Sequence, residues 1–184
     1  MTCSGAFLKY VTVKNGGKNN TVVFEKGCRI KKCRVIFCGD NNKVLFGSDC
    51  RGQNIVVWCS EGSSVVIGKK ADFTDSIQLV AQEGTRIKIG DNCLFADNVT
   101  FRTGDSHGIY DENEIRINVA RNISVGNHVW FASNSTVLKG TTIGDECVIG
   151  TSSLLTGGCY KDHSVIAGNP AREKKHIGYW THAV

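Results

Sequence analysis

From Val125 onward a large apolar residue returns at every sixth position, at Val125, Phe131, Val137, Ile143, Ile149 and Leu155. Four places after each stands a smaller residue, at Val129, Ser135, Thr141, Cys147, Ser153 and Cys159. A helix repeats near every 3.6 residues and an alternating strand near every two, so neither accounts for a strict period of six. A chain wound into a three-sided prism does, with one short strand and one turn per six residues. The large side chain fills the interior and the small one fits beside the corner.

The first half carries a longer repeat of the same kind. Gly17-Lys-Asn-Asn-Thr-Val-Val-Phe24 is echoed by Gly39-Asp-Asn-Asn-Lys-Val-Leu-Phe46, then by Glu61-Gly-Ser-Ser-Val-Val-Ile67 and Glu83-Gly-Thr-Arg-Ile-Lys-Ile89. Phe24, Phe46, Ile67 and Ile89 are spaced by 22, 21 and 22 residues. Each early coil is therefore a three-strand circuit with an extended turn. Asn, Gly, Ser and Asp in those turns supply the left-handed backbone that a corner requires. The expected fold class is all-β: a parallel β-helix in one domain over residues 1–184, with one extruded loop and a short C-terminal tail from about 168 to 184.

Composition agrees. Glycine is abundant at 21, and the single proline, Pro170, falls where the repeat stops. The apolar start of the chain is too short for a signal peptide, and no apolar run approaches the roughly 20 residues that span a bilayer. A cytoplasmic location is the expectation. Nine cysteines suggest a disulfide or zinc framework until they are set on the repeat. Cys28, Cys50, Cys93, Cys147 and Cys159 each lie four residues after a large apolar position. Cys38 and Cys59 lie eight before one, in the column of Ala81. These seven read as compact interior filler, while Cys3 and Cys33 have no assigned place. No metal is expected. The net charge of +5 suits nucleic acid, an acidic glycan or a phosphorylated small molecule. The aromatic-basic stripe that single strands require is missing, so nucleic acid is not an expected partner.

The period lapses between Phe101 and Val125. The intervening stretch, about residues 102–122, holds Gly104-Asp-Ser-His-Gly108, several acids and three arginines. It is predicted to be a loop thrown out of the prism, where rigid coils can hold functional side chains in place.

The hexad resembles that of the hexapeptide-repeat acyltransferases, and the close Val165-Ile-Ala-Gly-Asn-Pro-Ala171 resembles the one that follows their last coil. A narrower resemblance lies in Asp105-Ser-His-Gly-Ile-Tyr-Asp111, Arg116-Ile-Asn118 and Val125-Gly-Asn-His-Val-Trp-Phe-Ala-Ser133. These are similar to the acetyl-CoA-dependent O-acetyltransferases of capsular and lipopolysaccharide glycans, related to galactoside and maltose acetyltransferases. The repeat similarity covers nearly the whole chain, and the narrower motifs cover roughly residues 89–172. The resemblance implies left-handed winding, acetyl-CoA as co-substrate and transfer to a sugar hydroxyl of a bacterial surface glycan or its precursor. It also implies a homotrimer whose sites lie between subunits, His107 of one facing the coenzyme groove of the next.

An acetyl thioester is already activated, so such an enzyme needs a base for the acceptor hydroxyl rather than a covalent nucleophile. Histidine suits that task. His107 matches the family's loop histidine and is the expected general base. Asp105 either orients it, contacts the acceptor or shapes the turn. Arg116 and Asn118 either bind sugar hydroxyls or pin the loop, and Asn98 lies on the coil that leads into it. Trp130 either walls the site or packs at a subunit contact. His128 and His163 are taken as structural. Ala132, Ser133, Gly150 and Thr151 match positions that leave a pantetheine groove open, and Arg172, Lys174 and Lys175 would neutralise the nucleotide phosphates. One departure is Thr156-Gly-Gly-Cys-Tyr-Lys-Asp162, where relatives usually read Thr-Lys-Asp-Ile-Pro.

Among rivals, a γ-class carbonic anhydrase would need a third zinc histidine beside His107 and His128. A non-catalytic solenoid would need a regular exposed array and would leave the loop unexplained. Serine acetyltransferase would bring a helical N-terminal domain. The main alternative is an N-acetyltransferase acting on an amino sugar or a nucleotide-linked amino sugar.

Overall fold

The computed structural model describes residues 1–182, in which the hexads become stacked parallel coils with three flat faces and no helix. The first face is a seven-stranded sheet running from Thr21–Phe24 through Lys43–Phe46, Ser64–Ile67, Arg86–Ile89, Ile123–Val125 and Thr141–Ile143 to Gly158–Tyr160. The second face holds Asp72–Phe73, Leu94–Phe95, Trp130–Phe131 and Val148–Ile149, in register with one another. The third holds Ile77–Ala81, Thr100–Arg102, Thr136–Leu138 and Leu154–Leu155. In the early coils Arg29–Cys38 and Arg51–Ser60 run unbroken from the second face onto the third. That continuity, with longer turns between the third and first faces, makes those coils exceed three hexads.

Successive coils bring mostly apolar residues inward at matching levels, so the core is a set of columns. Phe24 stacks on Phe46 at 4.8 Å, Phe73 on Phe95 at 4.7 Å and Phe95 on Phe131 at 4.9 Å. Each such pair contributes about 0.5–1.5 kcal/mol beyond its buried area. The corners account for most of the left-handed residues, including Asn41, Asn92, Asn98, His128, Asn134 and His163. Between the first and second faces the corner opens with a glycine in successive coils, because the coils approach too closely for a Cβ. One built on Gly90 would lie 2.4 Å from the Gly126 carbonyl oxygen.

The cysteine columns need three corrections. Cys28, Cys50, Cys59, Cys93 and Cys147 are buried as expected, and Cys33 joins them, but Cys38 and Cys159 are exposed. Register pairs Phe37 with Cys59 and Cys59 with Ala81, so Phe37 holds the interior place and Cys38 pairs with Ser60. One additional residue in the turn after Cys38 displaced the count. Near the end, Tyr160 pairs with Ile143, only five residues after Leu155, which turns Cys159 outward beside Thr142. Burial pushes the thiols of Cys33, Cys59 and Cys93 up to about 12. A thiol reagent at mildly alkaline pH is therefore expected to label Cys3, Cys38 and Cys159 in the native protein, and the other six only after unfolding. Rapid native labelling of Cys33 or Cys59, read by mass spectrometry, would contradict this packing.

The expected tail is more ordered than the sequence suggests. After a turn containing a cis Asn169–Pro170 peptide, Ala171–His176 runs antiparallel to Ser164–Gly168. The chain then folds back along the corner between the first and second faces. There Trp180 stacks on His128 at 4.2 Å, and its Nε1 donates to the His128 carbonyl at 2.6 Å. The last two residues of the expected tail lie outside the described residues.

Candidate active site

The loop leaves the corner between the third and first faces after Arg102 and returns at Ile123. Its outer part is a narrow hairpin: Ile117 N donates to the Ile109 carbonyl, and Tyr110 bridges Arg116. Asp111 closes the tip by accepting from the Asn113 and Ile115 amides, both at 2.9 Å. A short acidic residue at that place caps the turn without help from the prism.

Asn118 fastens the root. It is buried, accepts the Ile109 amide at 2.7 Å, and donates from Nδ2 to the His107 carbonyl at 2.8 Å and to Asp105 Oδ2 at 2.9 Å. Lys139, from the next coil, donates to Asp105 Oδ2 at 2.5 Å and to the Asn118 carbonyl at 2.9 Å. On the preceding coil Glu83 accepts from Arg116 at 2.7 Å, and Gln82 Nε2 donates to the Ser106 hydroxyl at 3.2 Å. Both ends of the loop are thus tied to the coils above and below. The His107 imidazole is exposed, and no described residue hydrogen-bonds to it.

Two roles expected from sequence take a different form. Asp105 does not touch the His107 ring; its contacts hold Lys139 and Asn118. The hydrogen bond from Lys139, then that from Asn118, keep its carboxyl below the ordinary carboxylate range. Arg116 does the same for Glu83. Asn98 sits at the corner between the second and third faces and donates to Asn134 at 2.8 Å, an edge away from the loop. Lys139, Gln82 and Glu83 were missed. Lys139 lies in an ordinary Leu-Lys-Gly turn, and only the stacking of coils around the inserted loop brings it to Asp105.

Ala132, Ser133, Gly150 and Thr151 stack on the corner between the second and third faces. Their coils are tied by Ala132 N to the Ile149 carbonyl at 2.9 Å and Gly150 N to the Ile166 carbonyl at 2.8 Å. A Cβ on Gly150 would lie 2.8 Å from that of Ala167, so glycine keeps this column narrow. Arg172, Lys174 and Lys175 stand exposed on the antiparallel strand that closes the same face. Trp130 points outward from the second face and meets Trp180 at 5.9 Å. Within one chain, therefore, the small-residue column, Trp130 and the basic strand lie together, whereas His107 lies on another edge, beyond the third face.

Residues 122–157 match the family model described as bacterial transferase hexapeptide (six repeats). The chain is 32% identical over 125 residues to a polysialic acid O-acetyltransferase of Neisseria meningitidis, covering 67% of this chain and 58% of that one. It is 35% identical over 127 residues to a galactoside O-acetyltransferase of Escherichia coli, covering 66% and 58%. The match thus spans a little under three-fifths of each of those relatives. Among solved structures it resembles the polySia-specific acetyltransferase NeuO, with 28% identity, a TM-score of 0.88, and coverage of 100% of this chain and 87% of that one.

Proposed function

Because the chain belongs to the hexapeptide-repeat acyltransferase superfamily, we propose that it transfers an acetyl group from acetyl-CoA to a sugar hydroxyl of a surface glycan or its precursor. The observation that carries this is the fastening of the loop. Asn118, Asp105 and Lys139 spend their hydrogen bonds fixing the backbone at His107 and leave its imidazole free.

His107 takes the proton of the acceptor hydroxyl as that oxygen attacks the thioester carbonyl. The tetrahedral oxyanion then collapses, the C–S bond breaks, and the coenzyme thiolate takes up the proton from the imidazolium. The products are an acetyl ester and free coenzyme A, with His107 again neutral. Ala132, Ser133, Gly150 and Thr151 would hold the pantetheine arm of coenzyme A, and Arg172, Lys174 and Lys175 would meet the phosphates of its nucleotide. Trp130 would wall the site beside the thioester.

Since base and groove sit on different edges of one prism, the site is completed by a second copy. The third face between those edges presents Val56, Trp58, Leu138 and Leu154 outward, and the loop exposes Ile109, Tyr110, Ile115, Ile117 and Val119. Covering both surfaces in a closed trimer removes this apolar area from water and brings each loop to a neighbour's groove.

A thiol-release assay with acetyl-CoA and a panel of glycans, simple sugars and amino sugars tests the proposal. The expected result is acceptor-dependent thiol release with a product that mild base hydrolyses, as an ester must. A base-stable amide formed only on amino sugars would instead establish the N-acetyltransferase alternative. Absence of acceptor-dependent release across the panel would overturn both.

A further inference from the structure

Positive charge is not spread evenly along the column. Residues 1–51 carry ten of the 22 Lys and Arg side chains and three of the 17 Asp and Glu, whereas residues 52–184 carry twelve and fourteen. The N-terminal coils thus hold a net +7 and the remainder a net −2.

Register gathers part of this excess on the face that holds Trp130. The outward column there runs Phe7, Arg29, Arg51, Asp72, Leu94 and Trp130, each the parallel partner of the next. Beside it Lys9 pairs with Lys31, and Lys31 with Gln53. Lys9, Arg29 and Lys31 are exposed, and none forms an ion pair among the described residues. Arg51 is paired with Asp72 at 2.6 Å, which neutralises the acid in the column. Like charges on adjacent strands about 4.8 Å apart repel, so beyond the contact of the Lys9 ammonium with the Tyr10 ring at 5.1 Å the fold gains nothing from this placement. Two shallow clefts of about 340 and 440 Å³ run along the strip and share Arg29 and Lys31; Phe7 and Leu8 line the second. Apolar surface beside unpaired cations suits a sugar ring that carries a carboxylate.

We infer that this strip is the acceptor track for a linear, carboxylate-bearing glycan. The reacting residue lies at Trp130, and the chain runs down over Leu94 and Arg51 to Arg29, Lys31 and Lys9. This deepens the transferase proposal and rests on it for the position of the reacting end. Trp130 to Arg29 is four coil steps, roughly 19 Å at about 4.8 Å per step, room for several sugar residues. Asp75 borders the track at the neighbouring corner, where Gln53 and Asn54 hold it at 3.1 and 2.7 Å. Its charge disfavours a path across that corner and keeps the glycan on the second face.

Binding tests the track without requiring turnover. The full chain, Arg29→Glu/Lys31→Glu and the neutral Arg29→Gln/Lys31→Gln are titrated against a labelled sialic acid oligomer, a neutral dextran oligomer and an oligothymidylate. The unaltered chain is expected to bind the sialic acid oligomer and not dextran, with affinity falling as salt rises. Charge reversal is expected to weaken that binding roughly tenfold or more at low salt, with the neutral pair in between. Equal affinity of the unaltered and reversed chains, or binding of oligothymidylate alone, would overturn the track. The two proposals fail separately. Charge-dependent glycan binding without transfer to any acceptor leaves the strip as a glycan-binding surface and removes the transferase together with the reacting end at Trp130, whereas transfer to simple sugars with charge-independent binding leaves the transferase and removes the strip.

Discussion

Replacing His107 with alanine is expected to lower acetyl transfer roughly 10²- to 10⁴-fold, the usual contribution of a general base, while coenzyme A still binds. The side chain is exposed and unbonded to any described residue, so its removal takes nothing from the fold. Unchanged thermal stability and coenzyme affinity would separate lost chemistry from lost structure. The second part of the test uses the separation of base and groove. A groove-blocked chain, Ala132→Trp, has an intact His107 and is also expected to be inactive. Subunits of the two variants, mixed and reassembled, should recover part of the activity, because some interfaces then join a good loop to a good groove. Near-normal transfer by His107→Ala would remove the base. Failure of complementation, or a fully active monomer on sedimentation, would remove the shared site.

Lys139→Met is the next largest expected loss. Its ammonium links Asp105 to the Asn118 carbonyl, and the side chain is only 16% exposed. Leaving that carbonyl without its donor costs about 1–3 kcal/mol, and the loop root loosens. A displacement of about an ångström at the base can cost about a hundredfold in rate, so kcat is expected to fall with little change in coenzyme KM. Lys139→Arg should restore part of the loss, which a general packing defect would not predict.

The pH dependence follows from the same contact. The folded carboxyl of Asp105 titrates below its unfolded value, chiefly through Lys139. Its contribution is therefore present above the unfolded carboxylate pKa and disappears as pH falls through the lowered folded value. In Lys139→Met the loop should open at a higher pH than in the unaltered chain, as seen by hydrogen exchange at residues 105–118. Identical acid profiles would show that Lys139 does not hold the loop.

Much of the prism could be read from spacing, because an interior column demands the same kind of side chain at every coil. Val125 to Leu155 obey that rule closely, and the lapse after Phe101 marked the loop to within a residue or two. The count failed where one residue more or less in a turn left the apolar pattern almost intact. Such a slip exposed Cys38 and Cys159 and buried Cys33. Asp105 and Asn118 were legible as loop residues, but their contacts were not, since an Asp beside a His suggests an orienting pair that is not formed. Trp180 gave no signal, because its partner His128 lies 52 residues earlier.

The sequence by itself determined the coiling into a three-sided prism, the place of the break and the residue types available for chemistry, because each follows from local periodicity and composition. The tertiary structure decided which of those residues meet. Stacking converts separations of about 18 or 36 residues into direct contact, as with Asn127 and Asp145 or Asn98 and Asn134. It also carries Lys139 across 34 residues to Asp105 and places His107 an edge away from the small-residue groove. Those meetings depend on summed turn lengths, a quantity that no single window of the chain contains.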